Sequence, residues 1–244
     1  MAINDVICRS WAEFKVRIFD DLYEGGRFRR GSFLFRGQGS DSWTLSSGFD
    51  RWYKGPREDK LAVAEQLLDQ FIKECELEEI PESVRNDRIL MLSLAQHHGL
   101  PTRMLDWSES PYVAAFFALS GHVRSGIILQ KHVAVWVLHT TSYVWDRQYG
   151  CEILNVPSFG NERLKNQHGK FTYLRTLNDS LEEYVSQAPT ATSLSKYLLP
   201  VNDVAAAMAE MDSMGLNHAR IYPGISGNAK AAEVRVLLGK KALL

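Results

Sequence analysis

The sequence predicts an α+β fold in a single domain over residues 1–244, with helices mainly in the first half and a mixed or antiparallel sheet in the second. Three observations support this prediction. The clearest amphipathic helical pattern lies early, at residues 61–78, where apolar residues recur every three or four positions. Alternating β-branched residues such as Val133, Val135 and Val137 lie later. No repeat of fixed period is present, which argues against a repeat architecture.

The first elements are a capped helix and a short strand. Ser10 is predicted to cap a helix that begins at Trp11, because a glutamate three residues after the serine completes a capping box. Residues 32–36, SFLFR, then predict a strand. Arg36 ends this strand directly before Gly37, so the backbone can approach a ligand closely while the guanidinium projects toward it.

The stretch richest in candidate site residues is LAQHHGLPTRMLDWSESPYVAAFFA, residues 94–118. His97 and His98 end a helix, and a glycine follows as its expected terminator. Arg103 and Asp106 then lie in an ordered segment that leads to a buried apolar helix. Loops with this density of ionisable groups are where sites are usually found. The competing interpretation is structural: the arginine and the aspartate pair with each other, and the histidines bond backbone carbonyls.

The second half is predicted to supply most of the sheet and two helices. The predicted strands are residues 126–130, 132–140, 143–147, 152–156, 171–175, 195–199 and 220–222. The predicted helices are the alanine- and methionine-rich segment capped by Asn202 and ended by Gly215, and residues 228–238.

Composition narrows the functional classes. The formal net charge of −1 offers no global attraction for nucleic acids or membranes, although a local basic groove is compatible with it. The three cysteines are far apart, which argues against a disulfide scaffold or a zinc knuckle. The N-terminus lacks the basic-then-apolar pattern of a signal peptide, and no apolar run approaches the ~18–20 residues of a membrane span. We therefore expect a cytoplasmic protein that makes no membrane contact.

Four segments, in order, resemble a known family. They are FLFRGQ (33–38), the stretch at 94–118, NERLKNQHGKF (161–171) and IYPGISG (221–227). Together they are similar to the FRG domain, a bacterial and phage family named for a Phe/Tyr-Arg-Gly motif, which reads Phe-Arg-Gly at residues 35–37 here. The resemblance spans roughly residues 10–230, and the family is similar in places to toxins and phage-defence proteins.

The Arg36–Gly37 pair also resembles the opening of ADP-ribosyltransferases of the Arg-Ser-Glu type, in which that arginine holds NAD. This resemblance implies an ADP-ribosyltransferase-like fold and an NAD-consuming toxin or defence effector that acts on a protein, an RNA or a DNA. It also implies a neutralising antitoxin protein as a partner. NAD is then the co-substrate, with Arg36, Gly37, Gln38 and Gln167 as the candidate binding residues.

The candidate catalytic residues are His97, His98, Arg103 and Asp106. An ADP-ribosyltransferase needs a carboxylate for its oxocarbenium-like transition state, and either Asp106 or Glu152 can supply it.

Two alternatives use the same region. One is a metal-independent nuclease or phosphotransfer toxin, with a histidine of the pair as general base and the arginines as a phosphate clamp. The other is a non-catalytic module that binds a nucleotide or a protein. We predict no metal site, because neighbouring helical residues point about 100° apart and the histidines cannot easily share one ion.

Overall fold

The structure, a computed structural model, describes residues 3–123, 131–156, 169–188 and 193–241. Its strands are β1 Ile3–Ile7, β2 Tyr23–Glu24, β3 Arg27–Phe28, β4 Phe33–Gln38, β5 Met104–Ser108, β6 His132–His139, β7 Cys151–Leu154, β8 Gly169–Leu174 and β9 Leu194–Pro200. Its α-helices are α1 Trp11–Leu22, α2 Gly48–Trp52, α3 Lys60–Glu74, α4 Glu82–Arg85, α5 Arg88–His97, α6 Pro111–Leu119, α7 Leu181–Ser186, α8 Val204–Ser213, α9 His218–Ile221 and α10 Ile225–Lys241.

A seven-stranded sheet in the order β1-β9-β6-β4-β5-β8-β7 organises the molecule. Its neighbouring strands are antiparallel except for β1 and β9, which are parallel. Strands β2 and β3 form a separate hairpin. The α+β class is therefore confirmed, and a sheet that joins strands from both ends of the chain is compatible with a single domain.

The two sides of the central strands pack against different apolar clusters. In β4, Phe33 and Phe35 lie in the core formed with α1, α6 and α8, whereas Leu34 packs on the opposite side with Trp136 and Leu138. This division follows from the period-two alternation of side chains along a strand. A third cluster joins residues of β5 and β8 with residues of α3 and α5. Helix α6 therefore packs on the β4 side of the β4–β5 junction, and α3 and α5 pack on the β5 side.

Several helix ends follow the predicted signals. Ser10 Oγ accepts from the Glu13 amide at 3.1 Å, and the helix begins at Trp11 as predicted. The carboxylate of Glu13 bonds the amide of Arg9 rather than that of Ser10, at 2.8 Å. Ser110 caps α6, whose first residue is a proline.

The structure differs from the sequence prediction in several segments. The helix predicted to be capped by Asn202 begins at Val204 instead, after a short 3₁₀ turn that contains Asn202, and Asp203 precedes it without a side-chain cap hydrogen bond. Strand β1 was not predicted. The segment after Arg103, which was predicted to be ordered but not to be a strand, is strand β5. Residues 220–222 were predicted as a strand, but α9 occupies His218–Ile221 because the side chain of Asn217 caps it. The predicted strand at 143–147 is short 3₁₀ structure. The predicted strand at 126–130 lies outside the described residues.

Among the described residues, no helix combines the length and the apolar character that a membrane span requires.

Candidate functional site

A cleft of ≈ 970 Å³ lies between strands β4 and β5. Within the described residues these strands share a single residue pair, Phe35 with Ser108, whereas β4 pairs with β6 along its whole length. The two strands therefore diverge beyond this pair, and side chains from both enter the gap. Its lining also includes Ser42, Trp43, Thr44, Arg51, Ser93, Gln96, His97, Trp107, Ala114, Phe117, Phe171 and Tyr222.

Arg36 bridges the divergent strands. Its Nη1 donates to the backbone oxygen of Asp106 at 2.6 Å and lies 3.6 Å from the Asp106 carboxylate. Its Nε atom is buried and has no hydrogen-bond partner among the described residues. Burial is the main factor that lowers the pKa of Arg36, and Asp106 opposes this shift, but a guanidinium keeps its charge in proteins. Arg36 is therefore a fixed cation in the lining of the cleft, with 21% of its side chain exposed and with an Nε donor that has no partner among the described residues.

Asp106 is the carboxylate of the cleft. Its side chain is 56% exposed, and Oδ1 accepts from Gln96 Nε2 at 2.7 Å. The Gln96 oxygen accepts in turn from the hydroxyl of Thr102, which fixes the orientation of the amide. The network Thr102–Gln96–Asp106–Arg36 thus holds a solvent-facing carboxylate in one position.

Gly37 brings helix α6 against strand β4. A Cβ atom at this position would lie 1.9 Å from the backbone oxygen of Ala114 and 2.7 Å from the amide nitrogen of Ala118. Since real Cβ contacts are essentially never below 3.0 Å, only glycine fits here. The glycine of the Phe-Arg-Gly motif therefore shapes the cleft, while the preceding arginine supplies its charge.

Gln38 lines the cleft but uses both ends of its amide in the scaffold. Its Oε1 accepts from Trp136 Nε1 at 2.7 Å, and its Nε2 donates to the backbone oxygen of Thr44 at 2.9 Å. The side chain is buried. Gln38 therefore fixes the wall formed by the segment that follows β4.

The two histidines of the sequence motif have different positions. His97, at the end of α5, lines the cleft, whereas His98 lies outside the lining, and both are exposed. Their rings meet edge-on with centroids 5.1 Å apart.

Arg103 and Glu152 lie away from the cleft lining. Arg103 is 2% exposed, pairs with the carboxylate of Asp50 at 3.1 Å and donates to the backbone oxygen of Asn178 at 2.7 Å. The competing structural interpretation, in which Arg103 pairs with Asp106, does not hold, because Arg103 pairs with Asp50 instead. Glu152 Oε1 accepts from Arg175 Nε at 2.7 Å. The position of Gln167 lies outside the described residues.

Several lining residues were not singled out from the sequence. Gln96 directly precedes the two histidines. It was not predicted as a site residue, because imidazoles are more reactive than amides and the histidines were chosen instead. Tyr222 belongs to the IYPGISG segment and reaches the cleft directly after α9. Trp43 and Arg51 come from the segment between β4 and α3, where no sequence signal separates them from packing residues.

Within the part of the chain that the structure describes, no three histidine, cysteine, aspartate or glutamate side chains are grouped as metal ligands would be.

Comparison with known families identifies part of the chain. A family model described as FRG domain matches residues 31–125. This segment is shorter than the resemblance at residues 10–230, but it contains Arg36, Gly37, Gln96, His97 and Asp106. Comparison with curated proteins and with solved structures gave no match.

Proposed function

We propose that this chain, whose residues 31–125 match the FRG domain family model, binds NAD in the cleft and transfers its ADP-ribose to a macromolecule. The observation that carries the proposal is the position of Arg36, a largely buried arginine with an unused Nε donor beside the Asp106 carboxylate. An anion-binding cation next to a carboxylate is the pair of groups that ADP-ribosyl transfer requires.

Arg36 suits the diphosphate of NAD. Guanidinium groups bind phosphate oxygens with two parallel N–H donors, and Arg36 has committed Nη1 to a backbone oxygen while Nε has no partner among the described residues. Low exposure strengthens such a contact, because less water competes for the charge. The exposed fraction of the Arg36 side chain is 21%.

Asp106 suits the reacting end of the co-substrate. In the transfer, the bond between nicotinamide and the ribose C1′ breaks, and nicotinamide leaves as a neutral molecule with the bonding electron pair. The positive charge that develops at C1′ is stabilised by a nearby carboxylate. An oxygen or nitrogen of the acceptor then forms the new bond to C1′, and its proton passes to the carboxylate or to water.

The size and lining of the cleft suit a ligand with two ring systems. Its volume of ≈ 970 Å³ is at the upper end of the ~300–1,000 Å³ range of ligand pockets. Phe117, Phe171 and Tyr222 supply aromatic surface, against which a nicotinamide or an adenine can stack.

The phosphotransfer alternative has less support. It requires an aspartate that orients a histidine. The Asp106 carboxylate instead accepts from Gln96 and pairs with Arg36, an arrangement that places negative charge in the cleft rather than behind an imidazole.

The test is incubation of the purified chain with labelled NAD and total cell protein, RNA and DNA. We expect label transfer or nicotinamide release. The rate of this reaction should fall about a hundredfold in Asp106→Asn, because asparagine keeps the shape of aspartate but lacks its charge. Asp69→Asn is the matched control, because Asp69 is also about half exposed (53%) and arginine-paired but lies on α3 outside the cleft. A folded sample that neither transfers label nor releases nicotinamide would refute the proposal.

A toxin or defence role follows if the activity depletes NAD or modifies an essential macromolecule. Under this proposal a neutralising protein is expected as a partner, and production of the wild-type chain slows growth whereas Asp106→Asn does not. Equal growth inhibition by both forms would contradict the role.

A further inference from the structure

We infer that the mouth of the cleft, formed by Trp43 and Arg51, binds one base and one phosphate of a single-stranded nucleic acid, which is the acceptor of the transfer. The inference rests on the proposed function, because it assigns the acceptor of that reaction. It concerns a wall of the cleft that the proposed contacts of NAD leave unused.

Trp43 is exposed although its backbone is fixed. Its side chain lines the cleft with 57% of its surface exposed. The next residue, Thr44, is held through its backbone oxygen by Gln38 Nε2 at 2.9 Å. The amide of Leu45 donates to Glu182 at 2.9 Å, and Leu45 itself is buried. A fixed backbone with an exposed indole at its edge is a rigid surface for stacking a planar group.

Arg51 adds an unneutralised cation at the same mouth. Its Nη1 donates to the backbone oxygen of Ser46, and no carboxylate pairs with it among the described residues. Its charge lowers the pKa of Arg36, so the two guanidiniums act on the same space. Asp106 is the one carboxylate among the described residues of the lining, and it already pairs with Arg36. The mouth is therefore positive and attracts an anion.

An exposed aromatic face and a cation in the lining of one cleft are the combination that single strands recognise. A base stacks on the aromatic ring, and the adjoining phosphate binds the guanidinium. A nucleotide presents a phosphate for Arg51 and a planar base for Trp43 in adjoining positions of one chain, so the two side chains together favour a nucleotide.

The position of Asp106 in a cleft favours a single strand over a duplex. The atom that accepts ADP-ribose must reach the vicinity of Asp106, which lines the cleft between two diverging strands. A base within a duplex cannot reach such a position unless it leaves the stack, which costs unpairing and unstacking energy. A base that is already unpaired enters without this cost.

The test is fluorescence anisotropy of labelled single-stranded DNA and RNA of about twelve nucleotides, and of the matching duplex, with the full chain and no NAD. We expect the single strands to bind more tightly than the duplex and to weaken with salt. Trp43→Ala and Arg51→Gln should each lose about tenfold in affinity. Both side chains are exposed, so we expect both variants to fold, and their thermal melting checks this.

Trp52→Ala is the matched control. Trp52 is 53% exposed, lies directly after Arg51 in the chain and packs beside Phe49, but it is not part of the lining. Its variant should bind within about twofold of the wild type. Absence of single-strand binding, equal binding of the duplex, or wild-type affinity in Trp43→Ala and Arg51→Gln would overturn the inference.

The labelled NAD assay separates the two proposals. Transfer of label to protein alone would overturn the nucleic-acid acceptor while leaving ADP-ribosyl transfer intact. Nicotinamide release without single-strand binding would also overturn the nucleic-acid acceptor and leave the reaction of NAD intact. Single-strand binding that depends on Trp43 and Arg51, with no NAD turnover, would support the nucleic-acid site and refute the transfer reaction.

Discussion

Neighbouring residues of the cleft have separate tasks. Arg36 supplies charge and Gly37 supplies space, although they are adjacent in the chain. Arg36 and Arg103 are both arginines of low exposure, but Arg36 faces the cleft whereas Arg103 pairs with Asp50. Chemistry at the site thus depends on which carboxylate each arginine contacts.

Gly37→Ala should destabilise the protein by about 1–3 kcal/mol, because the added methyl overlaps the backbone of α6. Urea denaturation of both forms measures the change. Gly121→Ala is the control: a Cβ there meets nothing within 4 Å, so its effect should stay within about 0.5 kcal/mol. Equal stability of Gly37→Ala and wild type would show that strand and helix can separate without cost.

Arg103→Met should cost about 3–5 kcal/mol in unfolding free energy, because it leaves buried Asp50 without one of its cations. Lys60, which lies 3.4 Å from the same carboxylate, offsets part of the loss. Arg88→Met, at a 47% exposed surface pair, should cost at most about 1 kcal/mol. A stable Arg103→Met that fails to bind ligand would instead assign Arg103 to the site.

At the scale of elements, the cleft exists because β4 turns away from β5 while it stays paired with β6. Helix α6 covers this junction, and its first turn is fixed by Ser110, whose hydroxyl accepts from the amide of Val113 at 3.4 Å. Helix α6, which contributes Ala114 and Phe117 to the lining of the cleft, therefore begins at a defined residue.

Ser110→Ala should destabilise the protein by about 1 kcal/mol through loss of this cap. Thermal and urea unfolding measure it. Ser213→Ala serves as the control, since Ser213 is exposed at the last turn of α8 and its hydroxyl donates to the carbonyl of Glu210 in its own helix. If the two variants were equally stable, the cap would contribute nothing to the junction.

Helix caps could be predicted from the sequence because they depend on neighbouring residues. Ser10 caps α1 where the local pattern indicated, and a serine directly before a proline caps α6 in the same way. Strand β5 could not be predicted, because its residues Met104–Ser108 are a strand only through pairing with β8, about sixty-five residues later in the chain. Its sequence alone predicts only an ordered segment between two helices.

The site was predictable in part for the same reason. The Phe-Arg-Gly motif placed Arg36 and Gly37, since a strand end followed by glycine is a local signal. The partner of Arg103 was not predictable, because Asp50 lies in a different segment and no spacing rule connects them. Long-range ion pairs of this kind depend on tertiary structure.

At the scale of the whole molecule, we expect acid to weaken the fold in part through His218. This side chain is buried against Phe116, and burial, with the charge of Lys230, lowers its pKa. The unfolded chain therefore takes up this proton at higher pH than the folded protein, so stability is lost as pH falls below about 6.5. Urea denaturation at neutral and mildly acidic pH should show that the unfolding free energy falls less in His218→Phe than in the wild type.

An identical pH dependence in wild type and His218→Phe would show that His218 does not contribute to acid sensitivity.

The most direct test of the central claim is isothermal titration calorimetry of NAD and ADP-ribose binding to the wild type, Arg36→Gln and Arg88→Gln. We expect both ligands to bind the wild type, Arg36→Gln to weaken the binding of both by about tenfold to a hundredfold, and the surface variant Arg88→Gln to match the wild type. Wild-type affinity in Arg36→Gln, or a folded wild type that binds neither ligand, would contradict it.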